Sequence, residues 1–109
     1  MAKTYDETGF CAPKIGDTVC DNLVRSLQGV VQDITGQKYR DFQCIQYIEQ
    51  PIYGANYKAK VSTGMDTYIH LHFYKPPNDR AAQVNFVELA KRADDPLNDI
   101  YNTKYYNTL

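Results

Sequence analysis

The sequence predicts an α+β fold, one N-terminal helix packed on a wrapped antiparallel β-sheet, and three observations carry that prediction. Between Val19 and Ile34 the apolar residues recur at spacings of three and four. After Gly36 the period changes to two, and four stretches of that period follow, separated by turn residues. The inner face of such a meander needs a cover about one helix long, which is why the sheet is expected to wrap on the helix. At 109 residues the chain supports one core and one domain, because compact domains cluster at roughly 100 to 150 residues.

Residues 1–16 hold Gly9, Pro13 and Gly16 among polar residues and no apolar period, so they read as an extended, mobile arm. The helix then carries one stripe of Val19, Leu23, Leu27, Val30, Val31 and Ile34. Asp17 or Thr18 can cap its first turn, Asp21 suits the N-terminal dipole, and Gly36 is a natural stop. Gly29 inside it should cost about 1 kcal/mol relative to Ala, which a bend or a close approach to the sheet would explain. The first strand covers about 39–49, with Ile45 and Tyr47 alternating with Gln46. The second, about 56–62, sets Tyr57, Ala59 and Val61 on one face and Lys58 and Lys60 on the other. The third, about 68–75, sets Ile69, Leu71 and Phe73 opposite Tyr68, His70, His72 and Tyr74. Pro76-Pro77-Asn78-Asp79 breaks the ladder, and a fourth strand, about 83–89, precedes a polar tail.

Twelve Lys and Arg against thirteen Asp and Glu leave a formal charge of -1, with the basic residues spread from Lys3 to Lys104, so nucleic acid is not an expected partner. Ten Tyr, four Phe and no Trp suit half-buried strands and contact surfaces, which points to surface recognition. The apolar runs are short and residues 1–7 lack the apolar stretch of a secretory signal, so a soluble, cytoplasmic protein without membrane contact is expected. Cys11, Cys20 and Cys44, odd in number and irregularly spaced, read as free thiols, with Cys11 exposed and oxidisable on the arm.

Catalytic groups are thin. Cys20 or Cys44 could pair with His70 or His72 as thiolate and imidazole, yet neither cysteine falls on a strained loop, and both read as small buried thiols. His70 and His72 share a strand face in a geometry metals use, but no third ligand is at hand, and they read as a solvated or hydrogen-bonded face. Asp94 and Asp95 read as solvated turn carboxylates. The chain is therefore not expected to be an enzyme, and no cofactor or metal is assigned.

The informative segment is Gln50-Pro51-Ile52-Tyr53-Gly54, at a hairpin tip between two strong strands. Pro51 limits its freedom, Ile52 and Tyr53 are apolar, and Gly54 permits a backbone conformation closed to other residues. This segment resembles the cystatin signature Gln-x-Val-x-Gly. Asn56-Tyr57-Lys58-Ala59-Lys60-Val61, then Gly64, Tyr68-Ile69-His70-Leu71, Phe73 and Lys75, and finally Asp94-Asp95-Pro96-Leu97, are similar to the pattern of the stefins, the type 1 cystatins. The resemblance spans about residues 8–101. Pro51 and Tyr53 stand where the family carries small or aliphatic residues, and residues 102–109 extend past its usual end.

The resemblance implies a cystatin-like domain over 17–101, an inhibitory arm over 1–16 and a C-terminal extension over 102–109. It implies reversible, tight, noncovalent inhibition of papain-like cysteine peptidases, the cathepsin class, by a three-part wedge. Thr8, Gly9 and Phe10 would form the arm's contact, residues 50–54 the first loop, and Pro76, Pro77 and Asn78 the second. A monomer is expected, with exchange of the helix and first strand through the first loop, or a disulfide through Cys11, as routes to a dimer. The rival reading is a cystatin-fold interaction module without inhibitory activity.

Overall fold

The computed structural model describes residues 10–97 and the backbone of 105–107. Asp17 caps the helix as expected, its carboxylate accepting the Cys20 N–H at 2.9 Å. The helix does not run unbroken: α1 spans Thr18–Ser26 and α2 spans Gln28–Thr35. The Ser26 hydroxyl donates to the Leu23 carbonyl at 2.6 Å, and the Leu27 N–H turns to Val24 at 3.0 Å, so the regular ladder is lost at Leu27. Gly36, at φ +71°, ends α2 with its N–H on the Gln32 carbonyl. Gly29 lies beyond the break, and a Cβ there would meet nothing within 4 Å, so close approach is not its reason.

The stripe that faces the sheet is Cys20, Val24, Leu27 and Val31, with Leu23 and Ile34 at its margins. Val19 and Val30 of the expected stripe are exposed, so the true face lies rotated from it.

Among the described residues the sheet has six strands in sequential order, all antiparallel: β1 Lys14–Ile15, β2 Gln43–Ile52, β3 Gly54–Gly64, β4 Thr67–Lys75, β5 Gln83–Lys91 and β6 Tyr105–Asn107. Two more strands exist than the four expected, both short and at the borders. Residues 11–16, read as part of a mobile arm, run along β2: the Cys11 N–H donates to Glu49 at 2.9 Å, Lys14 pairs with Tyr47, and the Gly16 N–H donates to Ile45 at 2.8 Å. Cys11 is buried, its sulfur accepting the Glu49 N–H at 3.4 Å, which corrects the expectation of an exposed thiol. At the other border Tyr105–Asn107 pairs with residues of β5, so part of the extension belongs to the sheet.

A register shift between Cys44 and Gln46 lets both Cys44 and Tyr47 face the core and turns Ile45 outward, against the simple alternation of Ile45 with Tyr47. Ala59, Val61, Ile69, Leu71, Phe73 and Val87 complete the inner face, and Tyr57 stacks on Phe73 at 4.9 Å. Of the two readings of the outer face, solvated or hydrogen-bonded, the structure shows the second. Lys60, His70, His72 and Glu88 are buried there: the Lys60 amino group donates to the carbonyls of Ala93 and Asp95, where the chain after β5 folds back, and the His72 ring stacks on Phe86 at 3.8 Å.

Candidate functional site

The β2–β3 hairpin ends where Ile52 pairs with Gly54, leaving Tyr53 at the turn. Both apolar tip residues stand in solvent, Ile52 54 % and Tyr53 79 % exposed. Gly54 has φ +88°, and a Cβ there would overlap the Lys75 carbonyl oxygen and lie 3.2 Å from Pro76 Cα. Only glycine therefore lets the first loop touch the second. The Tyr74 hydroxyl donates to the Tyr53 carbonyl and joins the two tips. Lys75 holds the second loop in shape, its amino group donating to Pro76 at 2.8 Å and Asn78 at 3.0 Å, while Asn78 sits at φ +67°. At the base of the first loop the Asn56 amide donates to the Gln50 side chain at 2.8 Å.

Between the tips lies a hollow of about 310 Å³ bounded by Tyr53, Tyr74, Pro76, Pro77, Asn78 and Arg80. Residues 10–15 run antiparallel to β2, so the chain points toward this same end as it is traced back to Phe10, whose ring lies 4.8 Å from the Lys58 amino group. Phe10 and residues 50–54 and 76–78 thus fall at one end of the sheet; Thr8 and Gly9 lie outside the described residues. Pro51, paired with Ala55, lies within the hairpin's last rungs.

The catalytic candidates do not assemble. Cys20 and Cys44 face the helix side of the sheet, whereas His70 and His72 lie on its outer side, so no thiol meets an imidazole. The two cysteines meet each other, Sγ to Sγ at 3.0 Å. The hydrogen bond from Cys44 and burial push the Cys20 thiol far up, the reverse of an activated nucleophile. Asp95 accepts the Arg92 backbone N–H at 2.8 Å, and Asp94 lies 3.7 Å from the Arg92 guanidinium, both in a surface turn.

The histidines have a partner that reading the sequence missed. Glu88 sits between them, His72 Nε2 lying 2.8 Å from one oxygen and His70 Nδ1 3.3 Å from the other, with Lys91 3.7 Å away. Burial lowers the pKa of both imidazoles, with Glu88 opposing it. Burial alone would raise Glu88, but the imidazoles beside it draw its carboxyl down to about 2. The signal was present in the period of β5, which sets Glu88 and Phe86 on one face. Among the described residues no three His, Cys, Asp or Glu are grouped to hold a metal, and no helix is long and apolar enough to cross a membrane.

A helical layer on one face of an antiparallel meander, with two joined hairpin tips at one end, defines an α+β cystatin-like domain. No protein-family profile matches the sequence. Among curated proteins it is 30 % identical over 91 residues to cystatin-A of Bos taurus, covering 82 % of this chain and 93 % of that protein. It is 30 % identical over 89 residues to cystatin-A2 of Dictyostelium discoideum, covering 82 % and 92 %. It is 23 % identical over 91 residues to leukocyte cysteine proteinase inhibitor 1 of Sus scrofa, covering 82 % and 88 %. The chain belongs to the cystatin family, in the stefin (cystatin-A) group. The Sus scrofa relative is by name a cysteine proteinase inhibitor, and this chain, as a cystatin, is not an enzyme.

Proposed function

We propose that this protein is a reversible, tight-binding, noncovalent inhibitor of papain-like cysteine peptidases of the cathepsin class, acting as a cytoplasmic monomer. It occludes the active-site cleft with a wedge made of Thr8, Gly9 and Phe10, residues 50–54, and residues 76–78. The observation that carries this reading is the union of the two tips, Tyr74 to Tyr53 and Gly54 against Lys75, with Ile52 and Tyr53 left in solvent beside them. An apolar projection already held in shape has little ordering entropy left to lose on binding. Its contact area supplies affinity through a few buried anchors, so inhibition needs fit and desolvation in place of a nucleophile.

Titration of papain and a cathepsin panel tests this. Peptide hydrolysis should fall to zero at nanomolar to micromolar protein, and either Gly54→Glu or removal of residues 1–10 should weaken it. Undiminished hydrolysis at a stoichiometric excess across the panel would refute the proposal. The rival, a non-inhibitory interaction module, draws on Tyr105–Asn107 joining the sheet as β6. Recovery of a non-peptidase partner that requires residues 102–109, with peptidases unaffected, would favour it.

A further inference from the structure

Cys20 and Cys44 are 24 positions apart in sequence, yet their sulfurs lie 3.0 Å apart, and only 1 % and 4 % of the two residues is exposed. That gap is about 1 Å longer than the roughly 2.05 Å of a disulfide bond. It is also shorter than the about 3.5 Å optimum for contact even between carbon atoms. The approach is fixed from several sides. The Asp21 carboxylate accepts the Cys44 N–H at 3.0 Å, and Asp17, which caps α1 at Cys20, also accepts the Tyr47 hydroxyl at 2.7 Å. The first turn of α1 is therefore tied to β2 by two bonds beside the sulfurs. On the other side of Cys44 the backbone of Gly16 passes so close that a Cβ there would overlap the Cys44 carbonyl, and its N–H donates to Ile45 at 2.8 Å.

We propose that Cys20 and Cys44 form a cystine site, at which the chain accepts an intramolecular bond by exchange with a low-molecular-weight disulfide of the glutathione type. One protein thiolate attacks the small disulfide, forming a mixed disulfide and releasing one thiolate. The second protein thiolate then attacks the protein sulfur of that mixed bond, closes Cys20 to Cys44 and releases the second small thiol. The two protons of the cysteines end on the two released thiols, and the two electrons lost by the protein sulfurs reduce the small disulfide. Because both sulfurs are buried, the first exchange occurs on a chain that is folding or locally open, and native packing selects the partner. Cys11 is not a competitor, since it lies along β2 at Glu49 with its sulfur on that residue's N–H.

The full chain, refolded in mixed reduced and oxidised glutathione, then alkylated and mapped by peptide mass spectrometry, tests the proposal. The expected product lacks two hydrogens, links the peptides of Cys20 and Cys44, and carries its alkyl group on Cys11. It melts roughly 10 to 15 °C above the reduced protein, as closure of a loop of this length predicts. Cys11→Ser keeps the bond and the gain, whereas Cys44→Ser has neither. Glutathione adducts in place of the bond, a bond that includes Cys11, or an oxidised chain that melts no higher than the reduced one would each overturn the proposal. These readouts on the wild-type chain decide the matter whether or not Cys44→Ser folds.

Discussion

Tyr74 carries out a task that only its hydroxyl can perform, since its donation to the Tyr53 carbonyl ties two loops that are 21 residues apart. Tyr74→Phe keeps the ring and removes that tie. A single hydrogen bond is worth about 0.5 to 1.5 kcal/mol, so the expected result is inhibition weakened by roughly threefold to tenfold. The loss should appear in the dissociation rate, read by surface plasmon resonance on an inactivated peptidase, with the melting temperature lowered by roughly 2 to 7 °C. Gly54→Ala is expected to be harsher, because the residue sits at φ +88° and the new methyl meets the backbone of Lys75 and Pro76. Its predicted cost is about 1 to 3 kcal/mol in urea unfolding, together with weaker inhibition. The freedom of Gly54 and the apolar character of Ile52 and Tyr53 were legible in the sequence. The contact with Lys75 and Pro76 was not, since β4 brings those residues alongside only once the sheet has formed.

The helical and outer-face elements make separate predictions. Gly29→Ala adds a methyl to empty space in a helix and should stabilise the protein by about 1 kcal/mol, seen as a higher urea midpoint. On the outer face, His70 and His72 have folded-state pKa values below the ordinary 6.5, so below that pH the unfolded chain binds protons that the folded one refuses. Stability is therefore full above about pH 6.5 and falls as the solution is acidified. Glu88 acts in the same direction lower down, its stabilisation present above 4.5 and lost as pH drops toward about 2. Urea midpoints measured across this range should decline in both windows. Glu88→Gln should flatten the lower one and cost about 1 to 3 kcal/mol at neutral pH. The period-two pattern placed β3, β4 and β5 well and named their inner residues. It could not reveal that the other face is buried, because Lys60 looks like a solvent residue until residues 93–95 return to it, and the histidines do until β5 sets Glu88 and Phe86 beside them. The break at Leu27 was equally hidden, since it depends on where one serine hydroxyl bonds.

For the molecule as a whole, the joined hairpin tips and the Cys20–Cys44 contact are well separated. The Cys20–Cys44 contact sits at the start of β2 and the tip at its end, roughly 25 Å away along the strand. The chemistry of one should leave the fit of the other intact, and inhibition by the oxidised and reduced chains should match. The order of elements and the hairpin tip could be read directly from the amino acids, whereas the two bordering strands could not, for β1 and β6 hold too few residues to show a period. Those two small strands have a consequence of their own. A sheet that ended in β2 and β5 would offer long rows of unpaired amides, ready to recruit a second copy rung by rung. Three residues along β5 and two along β2 interrupt those rows, so the full chain is expected to stay indifferent to its own copies. A chain shortened to residue 97 should lose that indifference and scatter light at concentrations where the full chain remains clear.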